Sequence, residues 1–410
     1  MRTTAWWVLA ALVVAVAAIL VFLVPWAHTP PRVEQVAALG TLPADKVARA
    51  REFHAALRPG SYGALLLGLA LSVALGLTPL GARLLGLLPA HWLVRGVLGG
   101  LVLVTLTQLL TLPVAAWQET ILRRYGLSTR DWGAWGVDVL KGYLLGAVLT
   151  AGALGAFYTL VRYAPRWWWA FGAAGAAFVV VLLSFALPVL VEPVFNTFTP
   201  MPESPLRSSL MALAERDGVP VKDVLVADAS RRTRAVNAYV SGLGPTRRIV
   251  VYDTLLTEAP PEEVAAVVAH ELGHAKDNDV LLGTAVGALG AAAGVVGLYL
   301  LGGWTGLLRR AGVDAITDPR ALALLFAVAA LVGFVAGPLQ NLVSRQVEAR
   351  ADRHALTLTG EPGTFEAMQR RLGLVNLGDP DPPVVEYLLF ASHPSAVERM
   401  AVARTWKKHR

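Results

Sequence analysis

The chain contains no cysteine among its 410 residues. This absence excludes disulfide bonds, a cysteine nucleophile and a metal site with thiolate ligands, so any metal must be held by histidine and carboxylate side chains. Charged residues are also scarce, at 16% of the sequence, whereas soluble domains carry about 25%. Hydrophobic residues reach 55%, and the mean hydropathy is +0.54. The composition is therefore that of an integral membrane protein.

Lysine is rare too: only six of the 36 basic residues are lysine. The formal net charge of the chain is +7. In a membrane protein a positive balance predicts loops that lie beside an anionic leaflet. We therefore expect the lipid bilayer as a partner and no nucleic acid. With abundant alanine, glycine, valine and proline, the shortage of lysine suggests a GC-rich bacterial genome, and hence a bacterial cytoplasmic membrane.

Seven stretches are apolar over the roughly 20 residues that a helix needs to cross a bilayer. They cover residues 5–26, 62–88, 93–116, 142–161, 168–191, 280–301 and 321–339. The first could instead be a cleaved signal peptide, but it is longer than a usual signal core, and its flanking tryptophans are typical of a membrane-interface belt. Thr78-Pro79 in the second stretch predicts a kink or a break.

The loops between these stretches differ in lysine and arginine. The loops after the first and third stretches carry more of both residues than the shorter loops after the fourth and sixth. Positively charged loops stay on the cytoplasmic side. We therefore expect the N-terminus outside and the C-terminus in the cytoplasm.

Two polar regions define the predicted organisation. We expect five transmembrane helices with their loops in residues 1–191 and a cytoplasmic α+β catalytic segment in residues 192–279. Transmembrane helices six and seven should occupy residues 280–340, and a helical segment that completes the site should follow in residues 341–410. Within the catalytic segment we predict a helix from Ser204-Pro205 to Gly218, strands at 224–227, 237–240 and 248–252, and a helix from Pro260-Pro261. The fold class is mostly α: a seven-helix transmembrane bundle with a small zincin-like α+β insertion and a helical C-terminal segment.

The most specific pattern is His270-Glu271-Leu272-Gly273-His274 in the last of those helices. Histidines four apart lie on one helix face, so both imidazoles reach the same metal ion. The intervening glutamate lies beside that face, where it can accept the proton of an attacking water without being a ligand. This spacing is typical of zinc peptidases, with His270 and His274 as ligands and Glu271 as general base.

A catalytic zinc site needs a third protein ligand and one open position. Glu348 is the candidate, and Asp352, four residues later on the same helical face, can accept a hydrogen bond from a ligand histidine and so orient it. On the residues alone, His354 and Asp279 remain alternative ligands. An ordinary surface pairing of Glu348 and Asp352 with nearby arginines is the other interpretation.

The chain resembles the type-one CAAX prenyl endopeptidases, integral-membrane zinc peptidases that include bacterial members. Six blocks in order carry the resemblance: PVFNTFTP at 193–200, VNAY at 236–239, RIVVYDTLL at 248–256, HELGH at 270–274, NLVSRQVEARAD at 341–352 and HPSAVERM at 393–400.

The resemblance implies Glu348 as the third ligand and assigns His393 and Arg399 to the active site, where either side chain could donate to an oxyanion. It also makes Asn237-Ala238-Tyr239 the edge strand that pairs with an extended substrate. In the family the site lies within a large water-filled chamber.

The expected function is hydrolysis of peptide bonds near the C-terminus of CAAX-type, isoprenylated peptides or related membrane-associated substrates. We expect a monomeric enzyme with one Zn²⁺ per chain. The alternative is an HtpX-like protease that removes misfolded membrane proteins. An intramembrane site-two-type protease would need an aspartate ligand in a late membrane helix, which the last two stretches do not offer. A transporter would show ionisable residues within several spans, and these spans hold almost none.

Overall fold

The computed structural model describes residues 1–406, apart from the side chains of 187–189, so the last four residues of the predicted 341–410 segment lie outside the described chain. Within it, seven helices are long and apolar enough to cross a membrane. They are α1 (Arg2–Phe22), α3 (Ala44–Gly76), α5 (Trp92–Arg124), α6 (Trp132–Tyr163), α7 (Trp168–Phe195), α11 (Asp279–Leu301) and α13 (Leu322–Thr359). The seven predicted spans are thereby confirmed.

The remaining helices are shorter and mostly amphipathic. They are α2 (Arg32–Leu39), α4 (Pro79–Gly86), α8 (Pro205–Asp217), α9 (Asp253–Glu258), α10 (Pro261–Lys276), α12 (Thr305–Arg310), α14 (Pro362–Val375), α15 (Val384–Phe390) and α16 (Ala396–Thr405). The predicted break at Thr78-Pro79 is confirmed: α3 ends at Gly76, and the Thr78 hydroxyl accepts a hydrogen bond from the Leu80 amide to begin α4.

One boundary differs from the sequence-based expectation. The seventh span and the helix predicted after it are a single helix, α13, which continues through Pro338. A proline inside a membrane helix is tolerated when neighbouring groups satisfy the freed carbonyl. The consequence is functional, because one rigid element runs from the centre of the bundle to Glu348 and Asp352.

The membrane bundle packs around α11 and α13. Helices α1 and α7 both lie along α11, and α3 packs along α13. Ala5 of α1 is fully buried in the same apolar cluster as Val296 of α11 and Leu322 of α13. The first apolar stretch is therefore an integral part of the bundle as it stands in the structure.

The strands of the described chain form one four-stranded sheet in the order β1-β2-β4-β3. They are β1 (Phe198–Pro200), β2 (Asp223–Ala227), β3 (Ala238–Ser241) and β4 (Arg248–Tyr252), with β2 and β4 parallel and the outer pairs antiparallel. The three predicted strands are present, and β1 was missed because it has three residues, one of them proline. Strand β3 lies at an edge of the sheet, beside α10.

Helix α10 is the central element of the α+β segment. It begins at the predicted Pro260-Pro261 and packs against α8, α13, α14 and β3, which buries Val264, Val268 and Leu272 completely. Only Asp277 and Asn278 separate it from the membrane helix α11, and Asn278 adopts the left-handed conformation with φ 55°. Two membrane helices, α11 and α13, are thus attached to the elements that build the site.

The contact between α3 and α13 depends on a residue without a side chain. A methyl group on Gly76 would lie 2.5 Å from the Ala323 carbonyl oxygen and would also collide with the Ala327 side chain. We expect Gly76→Ala to lower stability by about 1–3 kcal/mol because the packed helices must separate. Thermal unfolding in detergent measures this, and Gly68→Ala on the same helix, where nothing lies within 4 Å, should not lower the midpoint. Equal midpoints for the two variants would contradict the prediction.

Candidate active site

The donor atoms of three residues converge between α10 and α13. His270 Nε2 lies 3.2 Å from His274 Nε2 and 3.2 Å from Glu348 Oε2, and His274 Nε2 lies 3.4 Å from Glu348 Oε1. Donors at about 2.0–2.1 Å from a tetrahedral ion stand roughly 3.3 Å apart, so the spacing fits one metal ion. The buried Glu348 Oε2 also has no hydrogen-bond partner in the described chain. His270, His274 and Glu348 can therefore hold a metal.

The other nitrogen of each imidazole faces a carboxylate. His270 Nδ1 lies 2.9 Å from Asp352 Oδ1, and His274 Nδ1 lies 2.8 Å from Asp279 Oδ2. Such carboxylates fix the tautomer and ring orientation so that Nε2 points at the metal. Asp279, an alternative ligand on sequence grounds, therefore orients His274 instead of joining the donor set. The other alternative, His354, pairs with Asp217 Oδ2 at 3.0 Å.

Arg399 extends this arrangement behind His270. Its Nε donates to Asp352 Oδ2 at 2.9 Å, its Nη2 bonds to Asp352 Oδ1, and the same Nη2 lies 3.3 Å from His270 Nδ1. Asp352 is only 1% exposed, and a buried carboxylate of this kind needs a paired cation. Arg399 supplies that cation while it lines the same cavity as the donors.

Glu271 is positioned differently from every other carboxylate here. It lies beside the donor atoms, lines the cavity and makes no hydrogen bond to any group in the described chain. Burial raises the pKa of Glu271, although the neighbouring histidines oppose this. A desolvated carboxylate with free lone pairs is suited to accept a proton from a nearby water.

His393 approaches the donors from the C-terminal segment. Its Nε2 lies 3.4 Å from Glu348 Oε1, its Nδ1 lies 2.9 Å from the Ser392 hydroxyl, and 62% of its side chain is exposed. A capping box begins α16: the Ser395 hydroxyl accepts from the Glu398 amide, and the Glu398 carboxylate accepts from the Ser395 amide. His393 is thus held at the start of the helix that carries Arg399, with its ring open to the cavity.

The predicted substrate strand lies at the cavity wall, but it is partly covered. The Asn237 side-chain oxygen accepts from the Ala238 amide, Ala238 is 1% exposed, and the Tyr239 hydroxyl donates to Glu192 Oε2 at 3.0 Å. One residue earlier, the Asn376 side chain accepts from the Val236 amide at 2.8 Å and donates to its carbonyl at 3.1 Å. An asparagine therefore occupies the edge position that a paired strand would take.

A cavity of about 990 Å³ joins these groups. Its lining includes Asn237, Glu271, Glu348 and His393, and residues of the polypeptide from α14 to α16, including Phe390, form a large part of its wall. The volume lies at the upper end of the range for ligand sites. It can accommodate an extended peptide segment together with an apolar group.

Three contacts at the site were missed by sequence reasoning. These are the pairing of Asp279 with His274, the pairing of Arg350 with Asp279, and the Asn376 contact with Val236. The position of Asp279, five residues after His274, is the one local signal that could have indicated an orienting carboxylate. The other two contacts depend on packing between distant parts of the chain.

Two family models match the chain. Residues 200–407 match the model of peptidase family M48, and residues 60–197 match the model described as the CAAX prenyl protease N-terminal region with five membrane helices.

Curated relatives and a solved structure are similar over most of their length. The "Uncharacterized metalloprotease YhfN" of Bacillus subtilis is 30% identical over 301 residues, which cover 73% of this chain and 71% of that protein. A "CAAX prenyl protease 1 homolog" of Arabidopsis thaliana is 31% identical over 314 residues, 72% of this chain and 70% of that protein. The crystal structure of S. mikatae Ste24p matches with a TM-score of 0.77, 20% identity and 97% of each chain, which establishes a shared fold.

The two aspartate–histidine pairs provide a matched test of metal binding. We expect Asp279→Asn to weaken the affinity for added Zn²⁺ by about 10–100-fold, because His274 loses the acceptor that orients its ring. Asp217→Asn removes the equivalent partner of His354, which lies outside the donor set, and should leave the affinity unchanged. Competition with a chelator measures both values. Equal weakening in the two variants would assign the effect to folding and not to the orientation of His274.

Proposed function

Because the chain belongs to peptidase family M48 and is a multi-pass membrane metalloprotease, we propose that its metal is zinc. We propose further that it cleaves membrane-associated peptides near their C-terminus, including isoprenylated CAAX-type peptides. The convergence of two imidazoles and one carboxylate beside the unpaired Glu271 is the observation that carries the proposal. All three donors come from one chain, so the proposed catalytic unit is a monomer with one ion.

Zn²⁺ held by His270, His274 and Glu348 would polarise the scissile carbonyl and lower the pKa of a water. Glu271 accepts the proton of that attacking water and later delivers it to the leaving amine. Its freedom from hydrogen bonds in the described chain supports this role, because a paired carboxylate would be a weaker base.

We assign different tasks to the two residues of the C-terminal segment. The exposed ring of His393 can donate a hydrogen bond to the oxyanion that forms on the substrate. Arg399 instead holds Asp352, which in turn orients His270. On this assignment Arg399 acts through His270, and His393 acts on the substrate.

The substrate is proposed to lie extended beside β3. Residues alternate along an antiparallel pair, and the Tyr252 amide bonds to the Asn237 carbonyl, so the polar backbone groups of Ala238 and Val240 face away from β4. A peptide backbone can pair there once the Asn237 side chain moves off the Ala238 amide. The adjoining apolar cavity wall, including Leu372 and Phe390, offers a place for a lipid group.

We propose a bacterial cytoplasmic membrane as the location, with the N-terminus outside and the catalytic segment and C-terminus in the cytoplasm. The distribution of positive charge among the loops supports this orientation. A phosphatase or fluorescent reporter fused after the last residue tests it. We expect the fluorescent fusion to be fluorescent and the alkaline phosphatase fusion to be inactive. Alkaline phosphatase activity at that position would contradict the proposed orientation.

Glu271→Gln separates the base from the ligands. We expect this variant to keep its metal and its thermal stability but to lose activity by about 10²–10⁴-fold, because the attacking water loses its proton acceptor. Glu348→Gln should lose metal and activity together. Metal analysis and peptide hydrolysis of both purified variants decide the question. Turnover near the wild-type rate in metal-loaded Glu271→Gln would remove Glu271 from the proposed role.

The substrate class is tested with matched farnesylated and unmodified CAAX peptides. We expect release of a C-terminal tripeptide from the farnesylated peptide. Cleavage should be lost when proline replaces a peptide residue that pairs with β3, because proline has no N–H to donate to the hydrogen-bond ladder. Mass spectrometry identifies the products.

The competing function is quality control of misfolded membrane proteins. It predicts cleavage at many internal sites and no dependence on the lipid group. Unfolded casein would then be degraded readily, and no tripeptide would be released.

A further inference from the structure

Arg345 on α13 is a buried cation without a counterion among residues 1–406. Its residue surface is 5% exposed, and it forms no ion pair with any carboxylate that the structure describes. Its Nη1 donates instead to the Tyr387 carbonyl at 3.2 Å and the Ala391 carbonyl at 2.6 Å, and its guanidinium carbon lies 4.4 Å from the centre of the Tyr387 ring. Burying a cation in this way is unfavourable. The hydrogen bonds that Arg345 donates are contacts that an apolar residue could not make, and they indicate a specific role for the guanidinium.

The contacts of Arg345 lie at the C-terminal end of α15. Asn341, one turn earlier on α13, donates from Nδ2 to the Leu388 carbonyl at 3.2 Å and the Leu389 carbonyl at 2.9 Å. The last carbonyls of a helix lack partners within it, and the helix dipole is negative there. Asn341 therefore supplies donors to two of these open carbonyls, and Arg345 adds a second donor to the Tyr387 carbonyl, which already accepts from the Ala391 amide. The arginine also places a positive charge at the negative end of α15.

The chain leaves α15 in an extended conformation at Ala391 and reaches His393 two residues later. On α13, Asn341, Arg345, Glu348 and Asp352 are spaced by four, three and four residues, so they share one helix face. Its first two residues contact the end of α15. Of its last two, Glu348 belongs to the donor set and Asp352 orients His270. One rigid helix therefore sets the distance between Glu348 and the segment that carries His393.

A second contact leads from the same arginine to α16. The hydroxyl of Tyr387, whose ring lies beside Arg345, donates to Glu398 Oε2 at 2.6 Å. The same carboxylate oxygen closes the capping box on the Ser395 amide. The residues on both sides of His393 are thus tied, through Ala391 and through Ser395, to the position of Arg345.

We propose that Arg345, assisted by Asn341, is a positioning residue that fixes the His393 turn over Glu348 by capping α15. The inference rests on the proposed function of His393 as an oxyanion donor and extends it to a residue that touches neither substrate nor metal. Loss of this cap lets the turn move away from the donor set. It should therefore lower kcat with little change in KM or in metal content.

A double-mutant cycle tests the coupling. Removing an oxyanion donor costs about 10²–10³-fold in kcat, so Arg345→Met should lower kcat by about 10-fold or more in the wild-type background. In the His393→Ala background it should cost less than about 3-fold, because its effect passes through the missing ring. Arg371→Met is the matched control. That arginine bonds to Glu263 and the Glu258 carbonyl, away from the turn, so its effect should be the same factor in both backgrounds.

Hydrogen exchange gives a measurement that does not depend on activity. The backbone amides of residues 391–393 and 395 should exchange faster in Arg345→Met, while α10 stays protected; Pro394 between them has no amide hydrogen. Asn341→Ala, the milder change, should show the same effect if the first variant folds poorly. Equal losses of kcat in both backgrounds, or unchanged exchange at 391–395, would overturn the inference. A fully active His393→Ala would instead refute the proposed donor role of His393, and faster exchange in Arg345→Met would then still support the positioning contact.

Discussion

The active site depends on the close approach of α10 and α13. The donor atoms on these helices must lie within about 3.3 Å of one another, although Glu348 comes 74 positions after His274 in the sequence. Small residues permit the approach: Ala269 and Ala355 are fully buried in one core cluster, and a side chain on Gly273 would meet His354 at 3.1 Å. A side chain at this position of the motif would therefore crowd His354 on α13, and we expect a large one to push Glu348 away from the histidines.

Electrostatics explains why this arrangement suits a metal ion. The carboxylates that orient the histidines each have their own arginine, Arg399 for Asp352 and Arg350 for Asp279. Glu348, by contrast, pairs in the described chain only with imidazoles, and one of its buried oxygens lacks a hydrogen bond. A divalent cation would balance that charge and leave both histidines neutral at Nε2. Glu271 remains the one carboxylate of the described site without a partner, which matches the need for a free base.

The sequence predicted those features that local patterns determine. Hydropathy gave the seven spans, and the spacing of His270 and His274 gave the metal-binding helix, because both signals lie within a few helical turns. Glu348 was one of three candidates until the resemblance selected it, since no local pattern links it to His270. The role of Asn376 was out of reach for the same reason, because tertiary packing brings it to Val236. For Asp279 the sequence offered one local signal, its position five residues after His274. Strand β1 is held by pairing with β2, and its own residues carry little strand signal.

The attachment of the site to the membrane limits what the enzyme can act on. Helix α10 continues into α11 after two residues, and α13 carries Glu348 on the same rigid helix that packs against α3 in the bundle. A domain movement that separated the donors from the membrane would have to break one of these helices. The candidate catalytic groups are therefore held close to the membrane helices, and a substrate must reach them there. Peptides that are themselves held at the membrane, by a lipid group or a neighbouring span, reach such a site at a far higher local concentration than free peptides do.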